Sequence, residues 1–223
     1  MELLIEAGTS QGLSETLTDG QKALYDTTVQ CTGDQASQAG VYSRQLDVST
    51  DPVSCTFVNT RKHGTLEIRK DFADPGTQRQ IELRLDGATK ATLTADGTTG
   101  ALTVDTGAYT ASEAFTTASD GDLYTSTYTC TRNGSAYVGQ TSGRSVPVAV
   151  GKGDAVVCTF KNDRRNVNVT VEKDWVGTVT PVELFVGGTK KTLSAEPAAL
   201  TVAVPAGSST TLGESTVPSD YDA

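Results

Sequence analysis

Two stretches of this 223-residue chain place a lysine in the middle of an otherwise apolar strand face. Strand side chains alternate between faces, so parity assigns them. In TLEIRKDF, Leu66, Ile68, Lys70 and Phe72 share one face against Glu67, Arg69 and Asp71. In VNVTVEKDW the corresponding set is Val167, Val169, Val171, Lys173 and Trp175. Two further stretches set an asparagine on the same face as a cysteine and a phenylalanine. One carries Val53, Cys55, Phe57 and Asn59; the other carries Val156, Cys158, Phe160 and Asn162. Asp163 falls on the opposite parity. A glutamate accompanies each set: Glu113 shares parity with Tyr109 and Ala111, while Glu15 and Glu214 share it with Leu13 and Leu212.

These residue types define a specific chemistry if a fold brings them together. A buried, unpaired ammonium is too costly to keep, so it loses its proton or finds a partner. Desolvation lowers a lysine's pKa and raises a glutamate's. A neutral lysine amine is a nucleophile, and an asparagine carboxamide is a weak electrophile. A protonated glutamic acid between them can hydrogen-bond the amide and shuttle protons. Held in contact in a dry core, the three can lose ammonia and form a Lys–Asn isopeptide bond, with proximity replacing turnover. An inert arrangement uses the same residues. Lys70 then snorkels to water near a sheet end and pairs with Glu113, while Asn162 caps its strand and turns the chain.

The elements that must position these groups recur. Residues 55–72, CTFVNTRKHGTLEIRKDF, and residues 158–175, CTFKNDRRNVNVTVEKDW, align without a gap at an offset of 103. Self-similarity at a long fixed period marks a tandem array. Each copy reads as the last strand of one domain, a very short link and the first strand of the next. The boundaries that follow are 1–61 for the back part of one β-sandwich repeat, 62–163 for a complete repeat and 164–223 for the front part of another. The complete repeat has about seven or eight short strands separated by turns, the pattern of a β-sandwich. The fold class expected is therefore all-β, as tandem sandwich domains. No Gly/Ser-rich spacer separates the repeats, so they are expected to form a stiff rod. Tyr221-Asp222 corresponds to Tyr25-Asp26, so the two ends overlap in register, as in an excerpt of a longer array or a chain completed by its neighbours.

Composition narrows the function classes. A net charge of −9 with scattered Lys and Arg argues against nucleic acid, whose phosphates demand a clustered basic face. Arg61-Lys62 and Arg164-Arg165 sit in the links and read as solvated charge. No apolar run approaches a membrane span, so no membrane contact is expected in this segment. No export signal is visible after Met1. The repeat pairs Cys31 with Cys55 and Cys130 with Cys158, and two disulfides imply an oxidising, extracellular compartment. With His63 as the one histidine and no tight Cys cluster, neither a metal nor a cofactor is expected. Asp120 and Asp122 lack the rest of a calcium ligand set and read as a solvated turn. His63 lies in a link with no pocket for a hydrolytic triad. The sequons at Asn133 and Asn168 arise easily by chance in a Thr/Ser-rich chain.

The layout of a first-strand lysine, a glutamate in an xxE box and a last-strand CTFxN resembles the prealbumin-like, CnaB-type repeats of bacterial surface adhesins and pili. The resemblance implies a transthyretin-like or immunoglobulin-like sandwich built into a stalk. It also implies that Lys70 is the amine, Asn162 the acceptor and Glu113 the catalytic acid. Asn59 with Glu15, and Lys173 with Glu214, are then halves of the same site in the flanking repeats. The chain departs from that pattern by carrying a cysteine pair in each repeat. No enzyme is expected beyond one self-cross-linking turnover. Three roles compete: a structural extracellular stalk, an adhesive module that contacts host protein or glycan, and a filament subunit completed by strand addition between copies. Tyr109, Tyr124, Tyr128 and Tyr137 are the aromatic candidates for adhesion.

Overall fold

The computed structural model describes residues 8–32, 38–47, 52–73 and 79–215. Tyr221 and Asp222 lie outside the described residues. The architecture is all-β. Alternating β-branched and apolar residues form the strands, and Gly, Asp and Asn supply the turns. At the β-hairpin tips Asp86-Gly87 and Asn133-Gly134, both residues of each pair have positive φ, as type I′ turns require.

The first part contains β1 (Ser10–Ser14), β2 (Tyr25–Cys31), β3 (Gln38–Ala39), β4 (Ser43–Asp47) and β5 (Cys55–Arg61). Strands β1 and β4 form one sheet and β3-β2-β5 another, around Val29, Cys31 and Leu46. The middle part runs from β6 (His63–Phe72) through β7 (Ile81–Leu85), β8 (Ala88–Leu93), β9 (Gly97–Thr98), β10 (Leu102–Asp105) and β11 (Gly107–Phe115). It continues with β12 (Tyr124–Arg132), β13 (Ser135–Ser142), β14 (Ser145–Val150) and β15 (Ala155–Arg164). One sheet has the order β10-β6-β15-β12-β13, and the other has the order β14-β11-β7-β8. Between them lies a core that includes Leu66, Ile68, Leu83, Tyr124, Val156 and Phe160. The last part contains β16 (Asn166–Lys173), β17 (Val182–Val186), β18 (Thr189–Leu193), β19 (Ala198–Pro205) and β20 (Leu212–Ser215), around Leu184, Val186 and Leu200.

The first and last strands of the middle part, β6 and β15, pair in parallel from Thr65↔Ala155 to Phe72↔Asn162. The parity assignments hold on β6, where Leu66, Ile68, Lys70 and Phe72 are all buried. On β16 they hold less well. Val169, Val171 and Lys173 are half-buried, but Val167 is exposed, because β16 pairs with β19 alone among the described residues. The chain also has two helical turns where the sequence pattern indicated only turns. Asp19–Leu24 is α-helical, with Thr18 and Gln21 forming a capping box, and Ala118–Leu123 is a 3₁₀ turn.

The links are one residue long, Lys62 between β5 and β6 and Arg165 between β15 and β16. Arg165 is exposed, as solvated charge would be, but Arg61, Lys62 and Arg164 are not simply solvated charge. Arg61 Nη2 donates to Thr106 O at 2.5 Å, and Lys62 Nζ donates to Lys22 O at 2.7 Å. At the second link Arg164 Nε donates to Ala206 O at 2.8 Å. The backbone repeats itself too. Lys62 N and Arg165 N donate to Leu24 O and Leu123 O, while Thr106 N and Ala206 N return bonds to Lys62 O and Arg165 O. Each arginine also lies over a tyrosine ring, Arg61 on Tyr25 and Arg164 on Tyr124. The two links thus share their backbone bonds, an arginine bond to a carbonyl and an arginine–tyrosine contact.

Both disulfides, Cys31–Cys55 and Cys130–Cys158, join residues directly opposite on neighbouring antiparallel strands. Closing a loop with a separation of 28 residues restricts the unfolded chain by about 3–4 kcal/mol in the chain-entropy account. Replacing both Cys130 and Cys158 by Ala is expected to lower unfolding stability by about that amount, read as a fall in the guanidinium midpoint.

Candidate functional site

Lys70 leaves β6 in one sheet, and Glu113 leaves β11 in the facing sheet, so their contact crosses the sandwich. Nζ lies 3.0 Å from Glu113 Oε2, and both side chains are fully shielded from solvent. Lys70 therefore does not snorkel. Its Nζ donates to Phe160 O at 3.0 Å and Asp71 O at 3.3 Å, and it sits 4.5 Å from the Phe72 ring centroid. Burial pushes the Lys70 pKa down, opposed chiefly by the Glu113 carboxylate and then by Asp71 and Asp96. A lysine shifted in this direction gives up its proton at a lower pH than one in water, which raises its share of nucleophilic amine.

Asn162 stands on β15, the strand beside β6, two residues beyond Phe160, which is in register with Lys70. It is buried to 1% exposure, within a strand rather than at a solvated turn, so it does not serve as the surface cap of the inert arrangement. Both its amide atoms, Nδ2 and Oδ1, are buried without a hydrogen-bond partner among the described residues. Such a group costs on the order of 1–3 kcal/mol, and a structure retains it where something else is gained. Amine, acid and carboxamide thus converge on one dry core, with the amine and carboxamide on neighbouring parallel strands.

The flanking parts carry half of this arrangement each. In the first, Asn59 Nδ2 donates to Glu15 Oε1 at 2.7 Å, and Thr27 Oγ1 donates to Asn59 Oδ1 at 2.5 Å. In the last, Lys173 Nζ lies 3.1 Å from Glu214 Oε2, with both side chains partly exposed. Thr27 escaped the sequence reading, and so did its counterpart Ser126. Each is buried and lies directly across from the asparagine, in the pairs Thr27↔Asn59 and Ser126↔Asn162. Their signal was a hydroxyl four residues before the cysteine, on the cysteine's own face.

Other candidates resolve into structural roles. Asp120 pairs with Arg79 at 3.5 Å, and no cluster of metal-ligating residues occurs among the described residues. Asn133 spends both amide atoms in its turn, accepting from Ala155 N and donating to Asp154. Tyr124 is buried against Phe72 and Phe115, Tyr128 packs on Phe160, Tyr109 donates to Asp105 O, and Tyr137 lies under Arg132. His63 Nδ1 contacts Asp105 at 3.0 Å. No helix among the described residues is long and apolar enough to cross a membrane.

Comparison with known proteins agrees with this architecture. Residues 2–61 and 76–164 match the profile of the prealbumin-like fold domain. The Bacillus anthracis TIE protein is similar in structure at 13% identity and a TM-score of 0.46, over 95% of this chain and 46% of that one. This chain therefore spans less than half of that protein's length. The major pilin from Streptococcus pyogenes is similar at 10% identity and a TM-score of 0.33, over 72% of this chain and 99% of that one. No curated protein sequence matches.

Removing one partner of a buried ion pair strands the other, at a cost of about 3–5 kcal/mol, whereas an apolar replacement of both is often neutral. Glu113→Ala is therefore expected to be less stable than the double variant Lys70→Met/Glu113→Leu by about 3 kcal/mol. The double variant has no amine to join to Asn162, and a reduced mass equal to the sequence mass shows Glu113→Ala to be free of that bond as well, so that denaturant midpoints compare the two directly.

Proposed function

The chain belongs to the prealbumin-like fold domain family, and from that premise we propose that it is a structural stalk or fibre segment of an extracellular cell-surface protein, locked internally by Lys70–Asn162 isopeptide bonding. The observation that carries this reading is the dry core set: an ion-paired Lys70 and Glu113 and, on the strand paired with that of Lys70, a buried asparagine whose amide has no hydrogen-bond partner among the described residues. In the reaction, Glu113 holds the proton that Lys70 gives up. The neutral amine attacks Asn162 Cγ, a C–N bond forms, and a proton passes through Glu113 from the amine to the departing amide nitrogen. The C–NH₂ bond then breaks, ammonia leaves, and Glu113 is left protonated, holding the proton that Lys70 first gave up.

Two further observations support the stalk. The disulfides require an oxidising compartment, which points to the cell exterior. The two links repeat the same hydrogen bonds and arginine–tyrosine contacts, which favours a constant angle between the repeats 1–61, 62–163 and 164–223, and hence a rod. The partners that fit are neighbouring repeats or copies of this chain. A second reading is interchain joining, in which Asn59, held by Glu15 and Thr27, meets the Lys173 of another copy, which pairs with Glu214. A host protein or glycan as ligand has less support, since the four tyrosines are engaged within the chain.

The reduced intact mass is expected to fall below the sequence mass by one ammonia per bond, with a branched peptide joining Lys70 to Asn162. Lys70→Arg or Asn162→Ala restores the full mass, and an unshifted wild-type mass removes the cross-link. Interchain joining predicts a concentration-dependent, detergent-resistant ladder that Asn59→Ala abolishes.

A further inference from the structure

The isopeptide reading leaves one chemical demand unmet. When an amine adds to a carboxamide, negative charge develops on the amide oxygen, and preorganised donors aimed at that oxygen are commonly the largest single contribution to rate. Glu113 is occupied with moving protons between the two nitrogens. Asn162 Oδ1 therefore needs a donor of its own, and it has none among the described residues outside the reacting groups.

The first part of the chain identifies where such a donor belongs. There the amide oxygen of Asn59 receives the Thr27 hydroxyl, while the amide nitrogen is given to Glu15. Oxygen and nitrogen are thus addressed by different residues. In the middle part Ser126 occupies the position of Thr27, directly opposite Asn162 and buried. Its hydroxyl oxygen is an acceptor for Arg144 Nε at 3.0 Å, which leaves the hydroxyl proton available to donate.

Arg144 is held in a built seat. Its Nη2 donates to Gly121 O, and its guanidinium lies 4.9 Å from the Phe115 ring centroid. A Cβ at Gly121 would displace the guanidinium, so glycine there leaves room for Arg144 in this seat. The Arg144 carbonyl accepts from Glu113 N at 3.0 Å, which ties the same residue to the acid. A hydroxyl that accepts from a guanidinium is polarised and becomes a stronger donor.

We infer that Ser126 is the oxyanion donor of the cross-linking reaction, giving its hydroxyl hydrogen bond to Asn162 Oδ1 as the tetrahedral intermediate forms, and that Arg144 is the positioning residue that orients and polarises it. Thr27 holds the corresponding place at Asn59, whose amide oxygen accepts its hydroxyl. The inference rests on the isopeptide reading and adds to it the group that stabilises the oxygen. No atom is transferred to or from Ser126. The hydrogen bond strengthens as the C=O bond opens to C–O⁻ and relaxes when ammonia leaves.

The test uses the full chain from a short pulse of cell-free synthesis, quenched in denaturant at successive times and weighed after reduction. Ser126→Thr and Ser126→Val have nearly the same shape and differ in the hydroxyl. The valine variant is expected to lose ammonia about a hundredfold more slowly than wild type, the cost of removing one such donor, while the threonine variant stays close to wild type. Arg144→Gln, which keeps the hydroxyl, is expected to fall between them. Thermal melts of both Ser126 variants establish that they are folded. Equal rates for the valine and threonine variants, in a wild type that does lose ammonia, overturn the Ser126 role and leave the isopeptide standing. A wild type that never loses ammonia overturns both.

Discussion

The middle of this molecule is governed by the cost of holding charge in a dry β-sandwich. Two opposite charges 3.0 Å apart, sealed between sheets, attract strongly only because water is gone, and removing water from each is itself expensive. The remaining hydrogen-bonding capacity of the ammonium is taken up by backbone, through Phe160 O and Asp71 O, and by the face of Phe72. The strand order meets this constraint: β6 lies beside β15 in one sheet and β11 belongs to the facing one, and the amine, the acid and the amide they carry are all buried. Packing and polarity are consequences of a single placement.

Parity on short strands was enough to read most of that placement. The lysine on β6, the asparagine on β15 and the glutamate on β11 each shared a face with residues bound for the core, and all three are buried. The cysteine pairs followed from the repeat. Parity was less informative on β16 and β5, where Val167 and Asn59 are exposed, because alternation specifies a face but not what covers it. Thr27 and Ser126 were missed for a different reason. A hydroxyl on a Thr/Ser-rich strand is unremarkable until its neighbour across the ladder is known.

The links were misread for the same physical reason. Arg61, Lys62 and Arg164 look like surface charge in sequence because their acceptors are backbone carbonyls. The carbonyl that Arg61 reaches is 45 residues away, and no pattern of side chains announces it. The short helix at Asp19–Leu24 had a readable signal in Thr18-x-x-Gln21, but at six residues it is held by its caps more than by periodicity.

The parallel pairing of β6 with β15 has a mechanical consequence. The chain enters the middle part at the start of β6 and leaves it at the end of β15, one residue from its neighbour on either side. Because the two strands run the same way, those points lie at opposite ends of one ladder of eight paired residues. A pull along the chain therefore loads the ladder in shear, with every rung sharing the force at once, instead of peeling the rungs open one after another.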